Sequence, residues 1–151
     1  MINSNPKDYF APMHSAEHIL NQTMVRFFNC ERSFSNHIEK KKSKCDYHFN
    51  RNLTEEEIKK IEIQVNSEIK KNHSVSDEII SIDEGMEKYN LKKLPDDFGT
   101  SIRIVHIGNY DSCPCSGIHV ANTSEIDEFK IISTGFENQI LRIRFKLIAK
   151  N

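Results

Sequence analysis

Two short motifs near opposite ends of the chain, His14-Ser15-Ala16-Glu17-His18 and Cys115-Ser116-Gly117-Ile118-His119, constrain the fold more than any other feature. Each offers two nitrogen or sulfur donors four positions apart. If all four serve one ion, everything between them must fold so that an early helix closes onto a late loop. Residues 14–28 read as that helix, because Ile19, Leu20, Met24, Val25, Phe27 and Phe28 fit one face and Pro12 stands near its start. On a helix, His14 and His18 project from the same side about one turn apart. Residues 111–119 are rich in turn formers and offer Cys115 and His119, with Cys113 as a rival thiol. Three imidazoles and a thiolate suit tetrahedral zinc (Zn2+) and are poor ligands for magnesium or calcium, which prefer oxygen.

Either pair alone has a plainer reading: polar residues near a helix start, or a buried free thiol beside a surface histidine. Ligand chemistry does not choose between Cys113 and Cys115. Ser15, not a glutamate, follows His14, so the metalloprotease pattern His-Glu-x-x-His is absent. Helical geometry turns Glu17 away from the His14/His18 stripe and makes it a surface charge. Asp111 and His106 are near the second motif in sequence, with nothing to tie them to its chemistry.

The remaining elements predict an α+β domain, a largely antiparallel sheet packed with two main helices. Thr54 followed by Glu57 is a capping box, and Ile58, Ile61, Val65 and Ile69 repeat behind it at helical spacing. Residues 33–49 are expected to form two short strands flanking a lysine run. Residues 75–82 read as a strand, 84–90 as a short helix, 93–99 as a loop and 101–107 as a strand. Residues 128–134 and 139–148 read as a closing antiparallel pair. In the second of these, Leu141, Ile143, Phe145 and Leu147 face one way and Ile140, Arg142, Arg144 and Lys146 the other.

Length bears on domain count: 151 residues are one domain's worth, with residues 1–11 as an N-terminal extension. The start of the chain lacks the basic and apolar regions of a signal peptide, and no stretch is apolar enough for a membrane span. The expected location is therefore cytoplasmic, where reduced cysteines near histidines read as metal binding or catalysis rather than disulfides. A net charge of -1 argues against strong non-specific nucleic-acid binding. On charge patterning alone, the run Lys40, Lys41, Lys42 and Lys44 and the alternating Arg142, Arg144 and Lys146 are solvated faces.

With both motifs in this order, the sequence resembles the editing domain of alanyl-tRNA synthetase and its stand-alone AlaX-type trans-editing relatives. The related threonyl-tRNA synthetase domain shares the pattern. The resemblance extends through Asp46-Tyr47-His48-Phe49, the helix start Leu53-Thr54-Glu55-Glu56-Glu57-Ile58, and Thr123 to Ile126. It implies zinc held by His14, His18, Cys115 and His119, with Cys115 preferred over Cys113. It also implies a deacylase acting on mischarged tRNA, Ser-tRNA(Ala) first and Gly-tRNA(Ala) second, without ATP, as a monomer or homodimer of the small class. Gly117 and Ile118 lie inside the motif and are assigned to the substrate pocket, although Ile118 stands where relatives often carry threonine. Ser35, after Phe34, occupies the place of a hydroxyl residue that selects serine. The lysine run and the late arginines become acceptor-stem contacts. The alternatives are a zinc-dependent hydrolase of another small ester or amide and a non-enzymatic, zinc-stabilised RNA-binding module.

Overall fold

The computed structural model describes residues 10–89 and 100–149. The loop expected over 93–99, the last residue of the short helix expected over 84–90, and residues 1–9 of the expected extension lie outside that range. Helix α1, Ala11–Phe28, begins inside the expected extension with a proline in its first turn. Its first half is buried on every side, since Met13 through Asn21 are all buried. That differs from the amphipathic helix expected from periodicity. Phe27 also departs from the predicted face and is 43% exposed, while Phe28 packs edge-on against Phe49. Asn29 ends the helix in the left-handed conformation, its N–H returning to the Val25 carbonyl.

Strands β1, Ser35–His37, and β2, Ser43–His48, flank the lysine run as expected. Strand β2 pairs with β7, Ile140–Ile148, which pairs with β6, Glu128–Glu137, giving an antiparallel sheet in the order β1-β2-β7-β6. The register sets Cys45 opposite Ile143 and Tyr47 opposite Leu141, all buried. The outer side carries Lys44, Asp46, Arg142, Arg144 and Lys146, so the two-residue period divides this sheet as expected. Helix α2, Glu55–Lys70, adds Ile61, Val65 and Ile69 to the same core. Thr54 Oγ1 accepts from the Glu57 N–H at 3.1 Å, Glu57 Oε1 accepts from the Thr54 N–H at 2.9 Å, and Arg51 clamps that carboxylate at 2.7 and 2.8 Å.

A second antiparallel sheet, ordered β3-β4-β5, holds β3, Val75–Ser81, β4, Ser101–Ile107, and β5, Asp111–Pro114. Helix α3, Ile82–Lys88, starts two residues earlier than expected because Ser81 caps it by accepting from Glu84 N–H. A small core of Ile80, Ile102 and Ile104 lies here. The sheet is thus split in two, a partition that depends on long-range edge choice and that strand periodicity does not carry. Strand β5 was not expected, because four residues ending in proline show no alternation. It is positioned by a tight turn at Gly108, φ +50°, where a side chain would run into His73. Among the described residues, no helix is long and apolar enough to cross a membrane.

The capping box yields a stability prediction. Thr54→Ala should cost about 1 kcal/mol at neutral pH, read as a lower urea midpoint. The Arg51 guanidinium, with the Thr54 N–H, holds the Glu57 carboxyl down to about 2 from its ordinary 4.5. The stabilisation from that carboxylate is therefore full above pH 4.5 and is lost as pH falls toward 2. Urea titrations of the wild type and Thr54→Ala across this window check both points, and equal midpoints at pH 7 contradict the first.

Candidate metal centre

Helix α1 presents His14 and His18 to the loop that leaves β5 carrying Cys115 and His119. One donor atom from each of the four lies within 4.8 Å of every other. His14 Nε2 and Cys115 Sγ are 3.5 Å apart. Two ligands of one tetrahedral zinc, at bond lengths of about 2.0 and 2.3 Å, are separated by roughly that distance. The three rings crowd together, with centroid separations of 4.2 Å for His14–His119, 4.4 Å for His18–His119 and 5.0 Å for His14–His18.

Two of the imidazoles have the other nitrogen hydrogen-bonded, and the third turns it toward a carboxylate. His14 Nδ1 lies 3.1 Å from the Ile118 carbonyl, which accepts its proton. His119 Nδ1 lies 2.9 Å from Ser15 Oγ, and the same hydroxyl oxygen accepts from the Val120 N–H at 3.1 Å. His18 Nδ1 faces Asp111 Oδ2 at 3.5 Å. With Nδ1 turned outward in all three, Nε2 is the nitrogen left for the centre. His119 Nε2 is buried with no hydrogen-bond partner, an orphan that a metal ion would satisfy. Donor chemistry, spacing and this orphan all fit zinc.

The electrostatics separate the two thiols. Burial pushes Cys115 up, but the His119, His14 and His18 imidazoles crowded around it outweigh that and hold the thiol down to about 2. Burial pushes Cys113 up, so it stays a thiol. Burial and the neighbouring His18 and His14 lower His119 to about 4, leaving it a neutral donor. Behind His18, Asp111 is buried, and Arg32 clamps it at 2.6 and 3.3 Å while Gln22 donates to it at 2.9 Å. Burial opposes the charge on Asp111, but Arg32 and His18 keep its carboxyl well below the usual range.

The loop itself is pinned on both sides. The Arg103 guanidinium donates to the Cys115 carbonyl at 3.1 Å and to the Gly117 carbonyl at 2.7 Å. Thr123 Oγ1 donates to the Ile69 carbonyl at the end of α2. A Cβ on Gly117 would overlap the His14 ring, so only glycine lets the backbone pass here. Ile118 supplies the carbonyl for His14, and its side chain is 48% exposed. Ser35 is exposed on β1, in register with Asp46. Arg142, expected as a phosphate contact, is bound to Asp46 at 2.7 and 2.9 Å. Lys40, Lys41 and Lys42 are exposed, and Lys40 lies 5.7 Å from the Phe10 ring at the start of α1. A groove between α2 and β6, lined by Lys59, Glu62, Asn66 and Lys130, shares no residue with the four donors.

Several participants were not anticipated. Glu17, expected as a surface charge, is 5% exposed and stands 3.7 Å from His18 Nε2. The expectation required a solvent side, and this half of α1 has none. Asp111, Arg32 and Ser15 were also missed as supports. Ser15 and Asp111 sit in or beside the motifs, but Arg32 carries no sequence signal for its partner.

The family model described as "Threonyl and Alanyl tRNA synthetase second additional domain" matches residues 102–144, which include Cys115 and His119. Alanine–tRNA ligase 1 of Lachnoclostridium phytofermentans is 31% identical over 134 residues, covering 87% of this chain and 15% of the ligase. The alanine–tRNA ligase of Bdellovibrio bacteriovorus is 31% identical over 88% of this chain and 15% of the ligase. The chain belongs to the alanyl-tRNA synthetase editing-domain family. The alanine–tRNA ligase of Buchnera aphidicola is 32% identical over 94% of this editing-domain chain and 16% of the ligase. The chain thus spans only about 15% of the length of these curated relatives.

The outward hydrogen bonds predict the behaviour of metal binding. Asp111→Asn and Ser15→Ala should each weaken zinc affinity about 10- to 100-fold, measured by competition with a chromogenic chelator. Gly117→Ala should weaken it as well, by displacing His14. Affinities equal to the wild type would show that these residues do not orient the ligands.

Proposed function

We propose that this chain is a zinc-dependent deacylase that removes the wrong amino acid from mischarged tRNA, Ser-tRNA(Ala) first and Gly-tRNA(Ala) second. The observation that carries this reading is the meeting of both motifs' donors at one point, in a family whose relatives are alanine–tRNA ligases. His14, His18, Cys115 and His119 would hold the ion. When bound, zinc supplies a Lewis acid that activates water or fixes the substrate's polar groups. The chain's own residues do the rest. Asp111, backed by Arg32, and Ser15 hold two rings in place, and the largely buried setting strengthens every charge interaction there. The aminoacyl ester is already labile, so positioning supplies much of the acceleration. Gly117 and Ile118 border the pocket, and Ser35 is the proposed selector of the substrate hydroxyl. ATP plays no part in an ester hydrolysis of this kind.

The exposed Lys40, Lys41 and Lys42, of which Lys40 stands beside the Phe10 ring at the start of α1, are proposed to meet acceptor-end phosphates. A net charge of -1 makes that affinity modest and salt-sensitive. The setting is the cytoplasm, as a monomer or homodimer acting in trans as a single editing domain. One observation favours a second reading: four protein donors around one ion is the arrangement of a structural zinc site. On that reading the chain is a zinc-stabilised RNA-binding module.

Two measurements separate these readings. A panel of mischarged tRNAs incubated with zinc-loaded protein should show Ser-tRNA(Ala) cleaved fastest, and cleavage of no aminoacyl-tRNA would sink the leading reading. His18→Ala should stay folded by circular dichroism and lose at least about 100-fold in deacylation, the scale for one catalytic group. A variant that unfolds points to the structural site instead.

A further inference from the structure

Glu17 has no role in the chemistry described so far, yet it occupies a costly position. It is 5% exposed, and its Oε2 is buried without a hydrogen-bond partner. That oxygen stands 3.7 Å from His18 Nε2, the nitrogen that faces the centre. A carboxylate taken out of water is tolerated when a cation or donors complete it. Arg32, a cation that Glu17's charge reaches, is already committed to Asp111 through both of its terminal nitrogens. His18, at 3.7 Å, gives Oε2 no hydrogen bond, so that oxygen keeps its lone pairs for a further donor that arrives at the centre.

We propose that Glu17 is a substrate-binding residue whose carboxylate receives the α-ammonium group of the amino acid esterified to the tRNA. The assignment rests on the deacylase reading above. An aminoacyl ester carries its ammonium on the carbon next to the ester carbonyl. A carboxylate at the edge of the centre therefore meets the charge while the carbonyl lies at the centre. Such a contact recognises the feature shared by all aminoacyl esters and absent from simple acyl esters. It leaves selection among amino acids to other groups. Tyr47 Oη, on the inner face of β2, is a second buried oxygen without a partner, and burial with the Cys45 and Glu17 charges pushes its phenol up.

The test uses two uncleavable probes, 3′-deoxyadenosine carrying a 3′-amide of serine, and the same compound with hydroxyl in place of the α-amino group. Calorimetric titration of the zinc-loaded wild type should favour the amine about 10- to 100-fold, the scale of a charge-assisted hydrogen bond. Glu17→Gln should bind both probes alike and keep wild-type zinc affinity. Glu17→Thr serves as a second variant should the first fail circular dichroism. Retained preference for the amine in either folded variant overturns the proposal. So does a loss of zinc affinity that accounts for the weaker binding, which would make Glu17 a metal ligand. If the wild type binds both probes equally, the Glu17 assignment fails while deacylation of Ser-tRNA(Ala) still stands on its own assay. If neither probe binds and no tRNA is cleaved, both readings fall.

Discussion

Everything in this chain depends on one contact, the closure of the buried first half of α1 onto the loop from Cys115 to His119. Three imidazoles and a thiol are brought within 4.8 Å of one another by segments about a hundred residues apart in sequence. Without a partner such a cluster is unfavourable, because burial opposes charge and leaves His119 Nε2 unsatisfied. With an ion the same crowding becomes an asset: the imidazoles already hold the Cys115 thiol low, and His14 and His119 are already turned by their outward hydrogen bonds.

The two sheets serve that closure. The larger one, with α2, builds the core against which α1 is buried. The smaller one delivers β5 and the ligand loop, tied by Arg103 from β4 and by Thr123 at the end of α2. The Arg32–Asp111 pair spans the junction, joining the segment after α1 to the first residue of β5. Fold and site are thereby coupled, since Asp111 both anchors β5 and faces His18. The outer face of the larger sheet has a different use. There Arg142 is bound to Asp46, while Lys40, in the run between β1 and β2, stands beside the Phe10 ring at the start of α1.

Much of this was readable from the sequence, and what escaped has a common cause. The α2 helix announced itself through Thr54, Glu57 and a stripe at helical spacing, all local features. The period of two in residues 140–148 sorted inner from outer faces correctly, because that sheet buries one side only. The two donor pairs were readable as candidates because residue type and spacing are local too, whereas the choice of Cys115 over Cys113 came from the resemblance alone. Glu17, Phe27, the divided sheet and the Arg32–Asp111 pair were not readable. Each depends on which surface packs against which, and the helical pattern of α1 suggested a solvent side that its burial removes.

The central claim is that His14, His18, Cys115 and His119 together form one zinc centre. X-ray absorption at the zinc edge of the loaded protein tests it most directly. The account predicts one sulfur at about 2.3 Å and three imidazole nitrogens at about 2.0–2.1 Å. A shell of oxygen and nitrogen without sulfur, or one with two sulfurs from Cys113 and Cys115, would contradict it.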